Sequence, residues 1–341
     1  MVVKMRFGLL FTLAASLFLA ACSAPKATRR TATSEPPSVP QPYVRLISDS
    51  NTVQLQIASR KFFSTRGKRP FIWLTGVSHI GEPKYFAALQ HHLDGQTLVL
   101  FEGINDLRAT KTWSDADTNR EVDHVQSGDS QKKLSSLQVS MAETLGLAFQ
   151  LEAIDYRRPN FFNSDLSIQQ IREIIAQTGG GESFESLVQM MEGGSWLDAI
   201  FQVVFQFLST SPKLRGLSKL ALMETIGEIQ GDPAQIQMLP PQLKQLLDAL
   251  IARRNQRVVA DLKLQLALMT PSNSIAVFYG TGHMRDLEAR LKELGYRPAE
   301  QRWFTAFSVD MAATGISETE HQFVRGFIQR EFQQPANKEK L

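Results

Sequence analysis

Cysteine is almost missing from this chain: Cys22 is the only one in 341 residues. A disulfide within the chain and a thiolate metal cluster are both excluded. A strong charge of one sign is missing too. The formal net charge is +3, and setting aside Lys4 and Arg6, which lie in an N-terminal targeting segment, leaves 35 Lys and Arg against 34 Asp and Glu. So balanced a chain has no electrostatic footprint for nucleic acid. No His-Glu-x-x-His and no Gly-x-x-x-x-Gly-Lys-Ser/Thr occurs, and Gly-x-Ser-x-Gly fails at Ile80, where it needs glycine. The apolar run at the N-terminus, Phe7 to Ala20, is at about 14 residues short for a spanning helix.

What that N-terminus does contain is specific. Lys4 and Arg6 precede the apolar run, which closes on Leu19-Ala20-Ala21-Cys22, a secretory signal whose small residues before a cysteine make a lipobox. The expected organisation is a signal peptide over 1–21, a lipid-modified Cys22 and a tether over 22–42, rich in Pro, Ser, Thr and Ala, too poor in apolar residues to fold. The chain is then expected to sit in a bacterial cell envelope, held to the membrane by its N-terminal lipid. Ser23, rather than Asp, after the cysteine favours the outer membrane, facing the periplasm.

From residue 43 to about 335 one α/β domain is expected, and 43% hydrophobic residues supply a sizeable core. Tyr43–Ile47 and Thr52–Ala58 suggest a hairpin. Apolar strands follow at Phe71–Thr75, Thr97–Phe101 and Leu151–Ile154, separated by helical patterns over Glu82–Leu93 and Leu134–Phe149 and by a polar loop from about Thr110 to Lys133. This alternation predicts a mixed, mostly parallel sheet with flanking helices. Strand signals then vanish between about 179 and 270, which reads as a helical insertion, with Trp196–Leu208 nearly all apolar. A closing strand, Ser274–Tyr279, a helix over Asp286–Leu294, an edge strand over Trp303–Val309 and a last helix from about Glu318 to Phe332 complete the chain.

Two strands end in the same signature, Gly76-Val77-Ser78-His79 and Gly280-Thr281-Gly282-His283. In an open α/β sheet, groups just past the carboxyl ends of the strands converge on a crevice. His79, Glu102, Asp155 and His283 all take that position in their expected strands. The glycines in these turns are expected to allow unusual backbone angles and close approach to a ligand. Imidazole with carboxylate suits Zn, Mn, Co or Fe, or else supplies a general base. His91 and His92 are expected at the surface, and Asp155 has Arg157 and Arg158 as alternative partners.

Taken together, the first Gly-x-x-His, Glu102-Gly103 at a strand end, Arg254-Asn255 on a helix and the second Gly-x-x-His resemble the TraB/GumN family, which includes PrgY and the TIKI proteins. The resemblance covers roughly Phe71 to Pro298 and extends to Ile154-Asp155-Tyr156-Arg157-Arg158-Pro159 and Asn163-Ser164-Asp165. It implies a fold like that of the erythromycin esterase and ChaN group, with His79, Glu102 and His283 as metal-binding or catalytic residues. Arg254, Asn255 and Arg257 would then orient a substrate. In the TIKI branch such a site is associated with manganese- or cobalt-dependent peptidase activity. The leading expectation is therefore a lipid-anchored hydrolase, a peptidase or esterase using Mn, Co or Zn. The alternatives are a haem- or iron-binding lipoprotein and a regulator that sequesters a peptide.

Overall fold

The computed structural model describes residues 42–49, 51–103, 142, 144–177, 211–229 and 241–333. The signal segment with Cys22, the polar loop, the triglycine at 179–181 and the apolar stretch 196–208 lie outside the described residues. The hairpin comes first, pairing β1 (Val44–Ser48) with β2 (Thr52–Ser64) in antiparallel register. Its turn is held by the Asp49 carboxylate, which accepts from the Asn51 and Thr52 amides. Along β2, Val53, Leu55 and Ile57 are buried while Thr52, Gln54 and Gln56 are half-exposed, the period-two signature of a sheet with one covered face. From Ala58 to Arg60 every residue is buried, because there the strand runs with both faces covered.

Next come β3 (Phe71–Val77), a two-residue β4 (Ile80–Gly81), helix α1 (Pro83–Asp94) and β5 (Leu98–Phe101). The β6 pair (Ala148–Phe149), helix α2 (Gln150–Ala153), β7 (Phe161–Asn163) and α3 (Ile168–Gln177) follow. Helices α4 (Pro212–Ile229) and α5 (Pro241–Leu268) belong to the region expected as a helical insertion. The chain then returns to the sheet in β8 (Ser274–Gly280), continues through α6 (Met284–Glu293), β9 (Tyr296–Asp310) and α7 (Met311–Thr314), and ends in α8 (Glu318–Gln333).

The main sheet has seven strands in the order β1-β2-β3-β8-β5-β7, with β9 along β2. It is the mixed, mostly parallel α/β sheet with flanking helices that the alternation predicts. Strands β3, β8, β5 and β7 run parallel, and β1, β2 and β9 extend them antiparallel. β8 is the last of the four parallel strands in sequence, yet it sits between β3 and β5. One face of the sheet forms a core in which Trp73, Val77, Val99 and Phe101 of the parallel strands join α1 (Phe86, Leu89, Leu93), while α4 (Leu220, Met223, Ile226) covers β1, β2 and β9. The other face, with Ile72, Leu74, Leu98, Leu100, Ile275 and Val277, packs on α5 (Val258, Val259, Leu262) and α6 (Leu287, Leu291). Burial on both faces is why these strands read as unbroken apolar runs.

Four expectations change. Leu151–Ile154 is not the third parallel strand; Leu-Glu-Ala are good helix formers, and the segment makes the short α2 instead. β7 takes the place beside β5, held there as the Asn160 amide donates to the carbonyls of Leu93 and Gln96 at the end of α1. The helix expected to reach Phe149 stops at Gly146, whose φ of 65° is the left-handed ending glycine permits. His92 is only 5% exposed, not on the surface: it packs edge-on against Trp73 and its Nε2 lies 3.0 Å from the Ser59 hydroxyl. Trp303–Val309 is the middle of a longer strand, β9, whose fifteen residues pair along β2.

Candidate functional site

Parallel strands aim their carboxyl ends at one edge of the sheet. Past β3 comes His79, past β5 Glu102, past β8 His283 and past β7 Asp165, so four polar residues leave adjacent strands on the same side. The β3 exit is a tight turn: the Ser78 hydroxyl donates to the Ile80 carbonyl and the Ser78 amide donates to the Tyr85 hydroxyl. Gly81 follows because a Cβ there would stand 2.5 Å from the Tyr85 ring and 3.0 Å from the Ala306 carbonyl. Its role is close approach. The unusual backbone angles expected of the turn glycines are not found, since among the described residues the positive-φ glycines are 67, 146, 295 and 315.

Glu102 is the electrostatic centre. Its backbone amide donates to the Phe278 carbonyl, and its carboxylate accepts from the Gly280 amide at 2.6 Å and meets the Arg254 Nη2 at 2.7 Å. Arg254 also grips Asp165 with two bonds, Nε at 2.9 Å and Nη2 at 2.6 Å. The side chains of Glu102, Arg254 and Asp165 are 8%, 2% and 0% exposed, so this is a buried carboxylate–guanidinium–carboxylate bridge from α5 to the ends of β5 and β7. Burial pushes the Glu102 carboxyl up, but Arg254 foremost, then His283, His79 and the Gly280 amide, outweigh it and hold the group at about 2. Glu102 is a carboxylate at any ordinary pH.

His283 closes a 3-10 turn (Thr281–His283) at the head of α6 and is fully buried. Its Nδ1 lies 2.6 Å from the Asn255 side-chain oxygen. The Asn255 amide nitrogen donates to Asp286 Oδ2 at 2.7 Å, and Arg290 Nε donates to that same oxygen at 2.6 Å. An ionised carboxylate only accepts, so Asp286 fixes which end of the Asn255 amide faces the imidazole. Asn255 therefore presents its oxygen, Nδ1 must carry the proton, and Nε2 is left with its lone pair. That Nε2 has no hydrogen-bond partner and stands 3.7 Å from Glu102 Oε1. Burial foremost lowers the imidazole pKa to about 4, which keeps it neutral.

His79 is held in a parallel way. Its Nδ1 lies 2.8 Å from Gln150 Oε1, the Gln150 amide nitrogen donates to the Tyr156 hydroxyl at 2.8 Å, and the Gln150 backbone amide donates to the His79 carbonyl. Gln150 thus engages the Nδ1 side of the ring, and Nε2 makes no hydrogen bond to a described residue. His79 is half-buried, whereas His283 is enclosed, so the solvent side of the cluster lies at His79. Its charge would be felt at both Glu102 and His283.

Two imidazoles on neighbouring strands with Nδ1 tied to side-chain amides, and a carboxylate on the next strand beyond His283, form a donor set that fits a divalent metal: metal-ligating histidines are oriented through their second nitrogen in this manner. The buried, unpartnered Nε2 of His283 facing a carboxylate is the observation that supports the fit. Two lone-pair donors facing each other at that distance are stabilised by a cation or by a proton donor. No three His, Cys, Asp or Glu among the described residues are already drawn together at metal-binding separation, and Glu102 shares its charge with Arg254.

The other expected site residues fall elsewhere. Asp155, expected past a strand end, follows α2 instead; it is over a third exposed and bonds Arg157, with Arg158 nearby, so its place belongs to Asp165. Arg254 and Asn255 meet protein groups and fix the acidic and imidazole partners from behind. Arg257 pairs with Asp261 at 2.9 Å, and Asp261 in turn accepts from the Ser164 hydroxyl. Gln150 and Asp286, which orient the two histidines, were not foreseen. Asp286 sits three residues after His283, one helical turn on, a spacing that signals it; Gln150 carries no signal, because its partner is 71 residues away.

Comparison of the chain with protein-family models, with curated proteins and with solved structures finds no match in any of the three. The site's own geometry therefore carries the reading.

Proposed function

We propose that the chain is a metal-dependent hydrolase of the TraB/GumN kind, a peptidase or an esterase, whose site is His79, Glu102 and His283. The observation that carries this is the His283 Nε2, buried, unprotonated and unpartnered, turned towards a carboxylate held ionised by Arg254. Mn, Co or Zn bound there would polarise a carbonyl and lower the pKa of a water into the neutral range.

The protein's own residues do the rest. Asn255 leaves the His283 Nε2 lone pair free to bind, and Gln150 holds the ring of His79 by its Nδ1 side. Arg254 keeps Glu102 anionic despite burial, and its bridge to Asp165 keeps it from turning towards a ligand. The half-buried His79 is placed to meet a water or a substrate entering from solvent. The full enclosure of His283 favours a single ion or a water there over a flat macrocycle such as haem.

The test is hydrolysis of a panel of peptide and ester substrates by the purified protein, with Mn, Co or Zn added in turn. Turnover that needs one of these ions and disappears in both His79→Ala and His283→Ala is the expected result. Turnover that survives in both variants, or is indifferent to added ion and to chelator, would sink the reading.

A further inference from the structure

The near-neutral charge of the chain is not evenly spread. Between Asp49 and Glu82 there is no acidic residue, while Arg60, Lys61, Arg66, Lys68 and Arg69 all fall in that stretch. Arg60 is turned inward onto Glu288, and Lys61 Nζ lies 3.6 Å from Glu300. The other three sit on the loop 65–70 that joins β2 to β3, at the amino end of β3. That loop is fastened at both ends: the Thr65 amide and hydroxyl donate to the Gly295 carbonyl, the Arg66 amide to the Ser64 hydroxyl, and the Tyr296 hydroxyl to the Pro70 carbonyl. Its cations are left outward. Residues 66–69 are all exposed, as is Arg297, which pairs in register with Phe63. Arg66 donates to a backbone group, the Glu293 carbonyl, and the side chains of Lys68, Arg69 and Arg297 make no hydrogen bond or ion pair with a described residue.

The acids on the adjoining α6 and β9 do not balance this charge. Glu288 is taken by Arg60 and Lys292, and Glu300 by Lys61 and Arg302. Asp286 and Asp310 lie at the far ends of the two elements. That leaves Glu293 against Arg66, Lys68, Arg69 and Arg297. Apolar side chains stand beside the cations. Phe63 and Phe71, which flank the loop, are each 41% exposed, even with the Lys61 ammonium over the Phe71 ring. Leu268, which ends α5, is 76% exposed, and the turn after it brings the chain to Asn273, whose carbonyl accepts from the Phe71 amide.

We infer that this end of the sheet docks on a membrane that carries anionic lipid. Arg66, Lys68, Arg69 and Arg297 would meet the headgroup phosphates, and Phe63, Phe71 and Leu268 would enter the boundary between headgroups and acyl chains. A nucleic acid would use the cations but leave the rings and the leucine in water, which is why the lipid surface is the better match. β3 runs from Phe71 at this end to Val77, just before His79, seven residues or about 20 Å. Docking therefore leaves the histidine cluster at the far end of the strands, open to water. Residues 22–41 could span up to about 65 Å when extended, so a lipid at Cys22 and this contact are compatible.

The experiment is hydrogen exchange of the purified full chain with vesicles of phosphatidylcholine alone and of phosphatidylcholine mixed with phosphatidylglycerol. Slower exchange at the amides of 66–69 is expected with the anionic vesicles only, and it should fade as salt is raised. Arg66→Gln/Lys68→Gln/Arg69→Gln keeps the N-terminal segment, yet the vesicle concentration that gives half the protection should rise on the order of a hundredfold. Phe63→Ser should weaken the protection as well and leave its salt dependence in place. Equal exchange with the two kinds of vesicle, or protection undiminished in the triple variant, overturns the inference. Protection that grows with protein concentration in the absence of vesicles would assign the face to a second copy of the chain, and protection by duplex DNA but not by vesicles to a nucleic acid; either also overturns it. The histidines take no part in this readout, so its outcome is independent of the hydrolase proposal.

Discussion

At the scale of single residues, the site depends on which nitrogen carries a proton. Asn255→Ala removes the acceptor at His283 Nδ1 and leaves Asp286 with Arg290 alone. The imidazole is then free to move its proton to Nε2 and satisfy Glu102 directly. Nitrogen-15 NMR of the purified protein should show His283 as a single Nδ1–H tautomer in the parent and a mixture or its reverse in the variant. Metal affinity should fall about 10- to 100-fold, the usual effect of losing a residue that orients a ligand. An unchanged tautomer would contradict the assignment.

His92 supplies a separate check, far from the metal question. Burial foremost, then Arg302, lowers its pKa to about 4 from the ordinary 6.5 of a histidine. The unfolded chain therefore takes up this proton first as pH falls. The group's contribution to stability is complete above 6.5 and is lost progressively down to about 4, by at most about 3 kcal/mol. Urea midpoints measured near neutral pH and near pH 4.5 should converge more closely in His92→Gln than in the parent. An equal drop in both proteins would mean that other groups carry the acid sensitivity.

At the scale of elements, α5 is locked to the strand ends by one side chain. Arg254 reaches from the middle of the helix to Glu102 after β5 and Asp165 after β7. Arg254→Met keeps the bulk but leaves two buried carboxylates without their cation, at a cost of about 3–5 kcal/mol. Equilibrium urea unfolding should show a midpoint shift of that size with an unchanged slope. A loss under about 1 kcal/mol would show that the bridge is solvated and that Glu102 does not depend on it.

This scale also explains what the sequence revealed. β3, β5 and β8 are legible because burial on both faces writes them as continuous apolar runs, and each breaks into glycine or a polar residue at its end. β7 is only three residues long, and its place beside β5 is set by Asn160 reaching the end of α1, a contact no local pattern records. Asp155 reads as a strand-end acid for the same reason, since Leu-Glu-Ala-Ile has the hydrophobicity of a short strand and the propensity of a helix. His92 looked exposed beside His91 because two adjacent helical positions point in different directions, and only the packing against Trp73 says which turns inward.

For the whole molecule, the topology assembles the site. Residues 79, 102 and 283 are far apart in sequence, and inserting β8 between β3 and β5 is what brings the second histidine beside the glutamate. The sequence announces each group at its strand end but not the strand order, so the convergence is legible and the His283–Glu102 contact is not. The most direct measurement is the metal content of the purified protein, prepared without chelators and after equilibration with Mn, Co or Zn, beside His79→Ala/His283→Ala. The account predicts close to one ion per chain in the parent and none in the double variant, with both proteins unfolding as single cooperative transitions. Equal metal in the two, or none in the parent with any of the three ions, would contradict it.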